Sequence, residues 1–266
     1  MRKKIFLITL SALLLILSSC SSFNTRYLDV CSLDYVGLKK LESSAVDEAL
    51  IKSWHLSWEN PYNEYVCCVS EKDGKLMISK SFENDTSFTM RADNGYFVGV
   101  DMGEYDGWVK YYPYPAVGDS DASQTVVSEN CKGIIKIDNK NGYVLTGLRH
   151  ILSDCGAIYK LSLPSIHEKW EWSKVADLSS VPMAYAYDDE SNSIYIATAL
   201  ELLKYSISTN TVTTLADVSL WEFSGATSMV ILGGKIYLGM GMGIYEYDIA
   251  TATTAWFPVD FEKYAS

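Results

Sequence analysis

Two polar segments of the chain, 101–106 and 149–154, carry side chains that could do chemistry. They hold four carboxylates, an aromatic ring, a guanidinium and an imidazole: Asp101, Glu104, Tyr105, Asp106, Arg149, His150 and Asp154. Carboxylates and an imidazole can transfer protons as general acids and bases. The same groups on a concave surface could instead bind a sugar or a peptide. Either chemistry requires that folding bring the two segments together, and therefore depends on the elements that carry them.

Each segment lies inside a predicted hairpin of a kind that recurs along the chain. The first strands of these hairpins are predicted at 94–99, 141–146, 192–197 and 233–238, and their partners at 108–111, 158–161, 202–205 and 244–247. Asn-Gly and Gly-Gly between apolar runs indicate hairpin turns because they tolerate positive φ. The charged residues at the centres of the partner strands recur every 42–50 residues: Lys110, Lys160, Lys204 and Glu246. That period is typical of β-propeller blades.

One further strand before and one after each of the last three hairpins completes units of four strands. These units resemble β-propeller repeats of secreted bacterial proteins, although they carry no Trp-Asp or kelch signature. The resemblance implies an all-β fold, a propeller of four-stranded antiparallel blades. Length and period favour about five blades over six, within a domain at 31–266 whose repeats are clear from about 86 and ambiguous before it. A β-sandwich is the alternative, but its strands would not need to recur at a regular spacing in the sequence.

The topology of a blade predicts which connections share a face. In a four-stranded meander, the connection between the second and third strands emerges on the same side as the connection to the next blade. Segments 101–106 and 149–154 should therefore adjoin each other, together with the connection that holds Trp221 and Glu222. We interpret these nine residues as a candidate binding face. The alternative is that they only form hydrogen bonds between neighbouring loops.

The N-terminal segment has the pattern of an export signal. Arg2, Lys3 and Lys4 precede an apolar run at 5–17, which is too short to span a bilayer. The run ends in Leu17-Ser18-Ser19-Cys20, which resembles the bacterial lipobox, and the resemblance implies cleavage after residue 19 and a lipid on Cys20. Residues 20–30 would then form a lipidated tether. The sequence thus predicts a lipoprotein held outside the cytoplasm, and Ser21 favours the outer membrane where two membranes exist.

Five cysteines follow Cys20, and an odd number leaves at least one thiol unpaired in an exported protein. Cys67 and Cys68 are adjacent, and no pair of cysteines has the spacing of a metal site. Among the possible disulfides, Cys131–Cys155 is the pairing we favour. We predict no metal ion and no cofactor.

Composition excludes some classes of function and leaves others open. The 266 residues carry a formal charge of −11, whereas nucleic-acid binding needs a basic footprint. No phosphate loop, Gly-x-Ser-x-Gly elbow or His-Glu-x-x-His motif occurs. We therefore favour a non-enzymatic binding or scaffold module for an envelope protein or a glycan. The alternative is a propeller enzyme of the lactonase, lyase or glycan-cleaving type, because propellers host both kinds of function.

Overall fold

Eighteen strands form five antiparallel sheets in the part of the chain that the computed structural model describes. That part comprises residues 66–81, 86–105, 107–114, 123–150, 153–165, 169–217, 225–241 and 243–259. The predicted signal peptide, Cys20 and the tether lie outside these residues, as do Asp106, Trp221 and Glu222. In the described ranges, no helix combines the length and the hydropathy that a membrane span requires.

The five sheets follow one another along the chain and are numbered here as blades. Blade 1 comprises β1 (Val66–Lys72) and β2 (Lys75–Ser81). Blade 2 comprises β3 (Ser87–Ala92), β4 (Gly95–Val100), β5 (Trp108–Pro113) and β6 (Gln124–Val127). Blade 3 comprises β7 (Cys131–Lys136), β8 (Asn141–His150), β9 (Ser153–Ser162) and β10 (Glu171–Leu178). Blade 4 comprises β11 (Pro182–Asp188), β12 (Ser193–Thr198), β13 (Glu201–Ser206) and β14 (Thr211–Asp217). Blade 5 comprises β15 (Ser228–Leu232), β16 (Lys235–Met240), β17 (Gly243–Asp248) and β18 (Thr253–Pro258).

Blades 2 to 5 are four-stranded meanders in which each strand pairs with the next along the chain. The predicted all-β propeller with four-stranded antiparallel blades is therefore confirmed. Blade 1, of which two strands are described, occupies the region before residue 86 that the sequence left ambiguous.

Neighbouring blades pack face to face through four hydrophobic clusters. One cluster joins blades 2 and 3, the next joins blades 3 and 4, and a third joins blades 4 and 5. Successive side chains of a strand point to opposite faces of its sheet. A strand whose blade has a neighbouring blade on each side is therefore apolar on both faces. In β12 of blade 4, all four central residues are at most 1% exposed: Ile194, Tyr195, Ile196 and Ala197. The short apolar runs in the sequence reflect this two-sided burial.

The fourth cluster joins the last blade to the first. Cys67, Val69 and Ile78 of blade 1 pack there against Ile244 and Phe257 of blade 5. The inner strand β1 also lies against β15 and β16, and the amide of Val69 donates to Ser228 Oγ at 2.8 Å. The C-terminal strand β18 thus packs against the blade formed by β1 and β2. This packing covers faces of blades 1 and 5 that would otherwise be exposed.

The hairpins occur where the turn residues predict them, but the glycines have two different roles. Gly233 and Gly234 both have positive φ, at 59° and 77°, as a two-residue hairpin turn requires. Gly95 has no positive φ and instead lies in β4, where a Cβ atom would come within 2.6 Å of the Tyr111 hydroxyl. The glycine of this Asn-Gly pair is therefore required by close packing against Tyr111 and not by a left-handed turn.

The predicted Cys131–Cys155 disulfide is wrong. Both thiols are free, and Cys131 lies on β7 whereas Cys155 lies on β9, with β8 between them. Strands two apart are separated by about 9–10 Å, which exceeds the roughly 7 Å over which two Cα atoms can be bridged. Cys131 is fully buried between blades 2 and 3, and this burial raises its pKa to about 12. Cys155 is exposed.

Candidate functional site

The two polar segments differ in structure. Residues 101–105 lie in the connection between β4 and β5, as predicted. In contrast, β8 and β9 extend further than predicted, so that Arg149 pairs with Asp154 and His150 with Ser153 in the strand ladder. The solvent end of this long hairpin therefore presents Arg149 and His150 from a sheet and not from a loop.

The two segments lie side by side, as the topology predicts. His150 Nε2 is 3.2 Å from Glu104 Oε1, so that the tip of the blade 3 hairpin touches the blade 2 connection. The side chains of His150 and Glu104 are 41% and 67% exposed. We use the name loop face for the surface formed by residues 101–105, 128–130, 149–150, 153–154 and 179–183. These ranges comprise the connection between β4 and β5, the tip of the β8–β9 hairpin, the connection between blades 2 and 3, and the connection between blades 3 and 4 with the first two residues of β11.

Blade 3 holds the 101–105 connection in one conformation. The buried Asn130 accepts a hydrogen bond from the Met102 amide at 2.9 Å and donates to the Gly103 carbonyl at 2.5 Å. Asp101 accepts the Gly103 amide at 3.0 Å and forms an ion pair with Lys132 at 2.5 Å. These contacts leave Met102 and Tyr105 pointing outward, at 48% and 76% exposure.

Asp154 has a structural role on the same face. Its carboxylate accepts hydrogen bonds from Ser180 Oγ at 2.8–2.9 Å and from the Val181 amide at 2.9 Å. It thereby fixes the connection between blades 3 and 4. Arg149 Nε lies 3.9 Å from the same carboxylate. Asp154 therefore follows the alternative prediction, in which these residues form hydrogen bonds to a neighbouring connection. Asp101 also has a structural role, through Gly103 and Lys132.

Some residues of the loop face were not found from the sequence. Met102 and Met183 are exposed apolar side chains, and a Cβ atom on Gly225 would come within 2.9 Å of Met183 Cε, so the next inter-blade connection also reaches this face. Asn130 was missed because its role depends on a contact between blades. Met183 lies in a strand, where a methionine gives no signal that separates it from core residues, and Met102 lies in the segment 101–106, which the sequence indicated only through its other side chains.

The arrangement supports binding by apolar contact, hydrogen bonds and charge. The outward groups are a tyrosine ring, two thioethers, a carboxylate, an imidazole and a guanidinium. Among the described residues, no group of three or more His, Cys, Asp or Glu side chains is placed to hold a metal ion.

Comparisons with known proteins give no family for this chain. No family model matches, and no curated protein matches. Several solved structures are similar at low sequence identity. The extracellular domain of a hybrid two-component system of B. thetaiotaomicron has a TM-score of 0.48 at 14% identity, and the match covers 73% of this chain and 26% of that one.

Two enzymes are also among the similar structures. A luciferin-regenerating enzyme has a TM-score of 0.44 at 11% identity, and the match covers 70% of this chain and 66% of that one. A GH43 glycoside hydrolase has a TM-score of 0.37 at 10% identity, with 67% and 42% covered. This chain thus spans about a quarter of the first of these three proteins and at most two thirds of the others. No activity is carried over from them.

Proposed function

We propose that this protein is an exported lipoprotein, anchored through Cys20, that uses the loop face of its β-propeller to bind a partner protein. The observation that carries the proposal is the 3.2 Å contact between His150 and Glu104. This contact turns the separate connections of two blades into one continuous surface. Fixed connections favour affinity because little conformational entropy is lost on binding.

The composition of the loop face favours a protein partner over a glycan. Aromatic residues, methionine and arginine are enriched in protein interfaces. The loop face carries all three types, in Tyr105, Met102, Met183 and Arg149. Monomeric proteins normally expose few contiguous apolar groups, and larger patches mark interaction sites.

The anchor places this surface outside the cytoplasm and close to a membrane. Cleavage after residue 19 removes Arg2, Lys3 and Lys4 and takes the formal charge from −11 to −14, which opposes direct attachment to anionic headgroups, so the lipid on Cys20 would supply the attachment. No catalytic step is part of the proposal. The partner is an envelope protein within reach of the tether.

Loop-face variants test the binding role. We expect Tyr105→Ala and His150→Ala each to weaken partner binding by about 2 kcal/mol, roughly thirtyfold, because central anchors dominate interface energy. Folding should be unchanged within about 0.5 kcal/mol, since surface residues outside the core contribute little to stability. The measurement is the amount of envelope partner that co-purifies with each variant after detergent solubilisation, quantified by mass spectrometry.

Tyr114→Ala is the matched control for these variants. Tyr114 is 48% exposed but lies after β5, where its amide bonds the Asn94 carbonyl of the β3–β4 hairpin on the opposite side of blade 2. Its replacement should leave the partner in place. Equal recovery of the partner with Tyr105→Ala, His150→Ala and the wild type would contradict the proposed function.

A further inference from the structure

A depression of about 320 Å³ lies on blade 3, and residues 128–130 of the loop face form part of its lining. Part of its wall consists of small residues at the centre of the β8–β9 hairpin, namely Gly147, Gly156 and Ala157. The acidic and basic side chains that line it are Glu129, Lys174 and Asp177. Glu129 belongs to the connection between blades 2 and 3, and the other two residues lie on the outer strand β10.

Two hydroxyl groups hold the Glu129 carboxylate in position. Thr146 Oγ1 donates to Oε2 at 2.6 Å, and Tyr159 OH donates to Oε1 at 2.8 Å. Thr146 is fully buried, so this donor has a fixed place in the sheet. Burial, and then Glu129, raise the pKa of Tyr159 to about 12, which keeps its hydroxyl protonated as a donor. A carboxylate accepts about four hydrogen bonds, so each oxygen of Glu129 keeps capacity for one more.

The charges of the depression favour a cationic ligand. Lys174 Nζ pairs with Asp177 Oδ1 at 2.7 Å, and these two charges offset each other. The Glu129 carboxylate supplies the remaining charge, which is negative. One acceptor site left on each of two carboxylate oxygens matches the fork of N–H groups on a guanidinium.

We infer that this depression receives an arginine side chain of the partner protein, with the guanidinium bound to Glu129. The inference rests on the proposed function, which supplies a protein partner at the loop face, of which Glu129 is part. It adds a chemical requirement to that partner: a basic residue at the edge of its interface.

The chain offers a matched control carboxylate. Glu201 on β13 also accepts hydrogen bonds from two hydroxyl groups, those of Ser179 and Thr214. It is therefore oriented in the same way as Glu129, but it does not line the depression. A neutral amide at either position keeps the size of the side chain and removes the charge.

The test uses the full lipidated chain in detergent micelles and a small probe, N-acetyl-arginine amide, with its neutral isostere N-acetyl-citrulline amide. Amide resonances of Gly147, Gly156 and Ala157 are followed by NMR. We expect the arginine probe to shift them with millimolar affinity. Glu129→Gln should weaken binding at least about tenfold, as expected for loss of a charged hydrogen-bond partner. Glu201→Gln should stay within about twofold of the wild type because it lies outside the site.

Three results would overturn the inference: equal binding of the citrulline probe, unchanged arginine binding in Glu129→Gln, or no shift with either probe. The amide spectrum of each variant shows directly whether it is folded. The outcome is separable from that of the loop-face variants. If Tyr105→Ala loses the partner while the arginine probe does not bind, the proposed function stands and the arginine site is wrong. If the probe binds but the loop-face variants keep the partner, the depression binds arginine and the proposed function is wrong.

Discussion

Gly239→Ala is expected to destabilise the folded protein by roughly 3 kcal/mol, at the upper end of the usual cost of overpacking. A Cβ atom at this position of β16 would overlap the carbonyl oxygen of Cys67 on β1 and lie 2.5 Å from Ser228 Oγ. The Cys67 carbonyl cannot easily move, because it accepts a hydrogen bond from Thr227 Oγ1 at 3.0 Å. The clash falls at the contact between blades 1 and 5, so these two blades would have to separate.

Gly234→Ala is the control for this variant. Gly234 has a φ of 77° and no atom within 4 Å of the position of a Cβ, so its replacement adds backbone strain of about 1 kcal/mol without a clash. Urea unfolding measures the two penalties. Hydrogen exchange of the Val69 amide should accelerate in Gly239→Ala only, because local opening of β1 breaks its bond to Ser228. Wild-type urea stability in Gly239→Ala would contradict closure between blades 5 and 1.

Cys20→Ala is expected to abolish lipid attachment and release the protein from the membrane fraction. The thiol of Cys20 is the predicted site of acylation, and alanine offers no nucleophile. Each buried CH₂ group of an acyl chain contributes ~0.8 kcal/mol, and stable anchoring takes more than one acyl chain or a second membrane-binding feature. Loss of the lipid therefore removes nearly all of the membrane affinity.

The measurement is incorporation of a labelled fatty acid, followed by fractionation of cells. Cys31→Ala is the matched control, because it removes another N-terminal cysteine that does not follow the Leu17-Ser18-Ser19 motif. It should be labelled and fractionate like the wild type. Label that persists in Cys20→Ala, or no label in the wild type, would show that Cys20 is not the anchor.

Blades 2 to 5 could be predicted because their signals are local. Each hairpin combines a turn with two short apolar strands, and the period of 42–50 residues counts the blades. Blade 1 has such a turn as well, Asp73-Gly74, with φ values of 54° and 73°. Its strands stayed ambiguous because residues 70–75 around the turn are polar and exposed, and because Val66 to Val69 form a continuous apolar run without alternation.

The site could be predicted only in part. Strand topology is enough to place 101–105 beside the tip of the β8–β9 hairpin, and His150 and Glu104 do meet. The structural role of Asp101 depends on Lys132, which lies on β7 of the next blade. That of Asp154 depends on Ser180, which lies in the connection between blades 3 and 4. Sequence spacing carries no information about such contacts. The disulfide prediction failed for a related reason, because counting thiols does not reveal that β8 separates Cys131 from Cys155.

The central claim is that the loop face is the surface at which this propeller meets its partner. Site-specific photo-cross-linking in living cells tests it most directly, with the reactive residue placed at Tyr105 and, in a separate strain, at Val212. Val212 is 36% exposed on β14, the outer strand of blade 4, away from the loop face. The account predicts a covalent adduct of one discrete mass from position 105 and none from position 212. No adduct from position 105, or the same adducts from both positions, would contradict it.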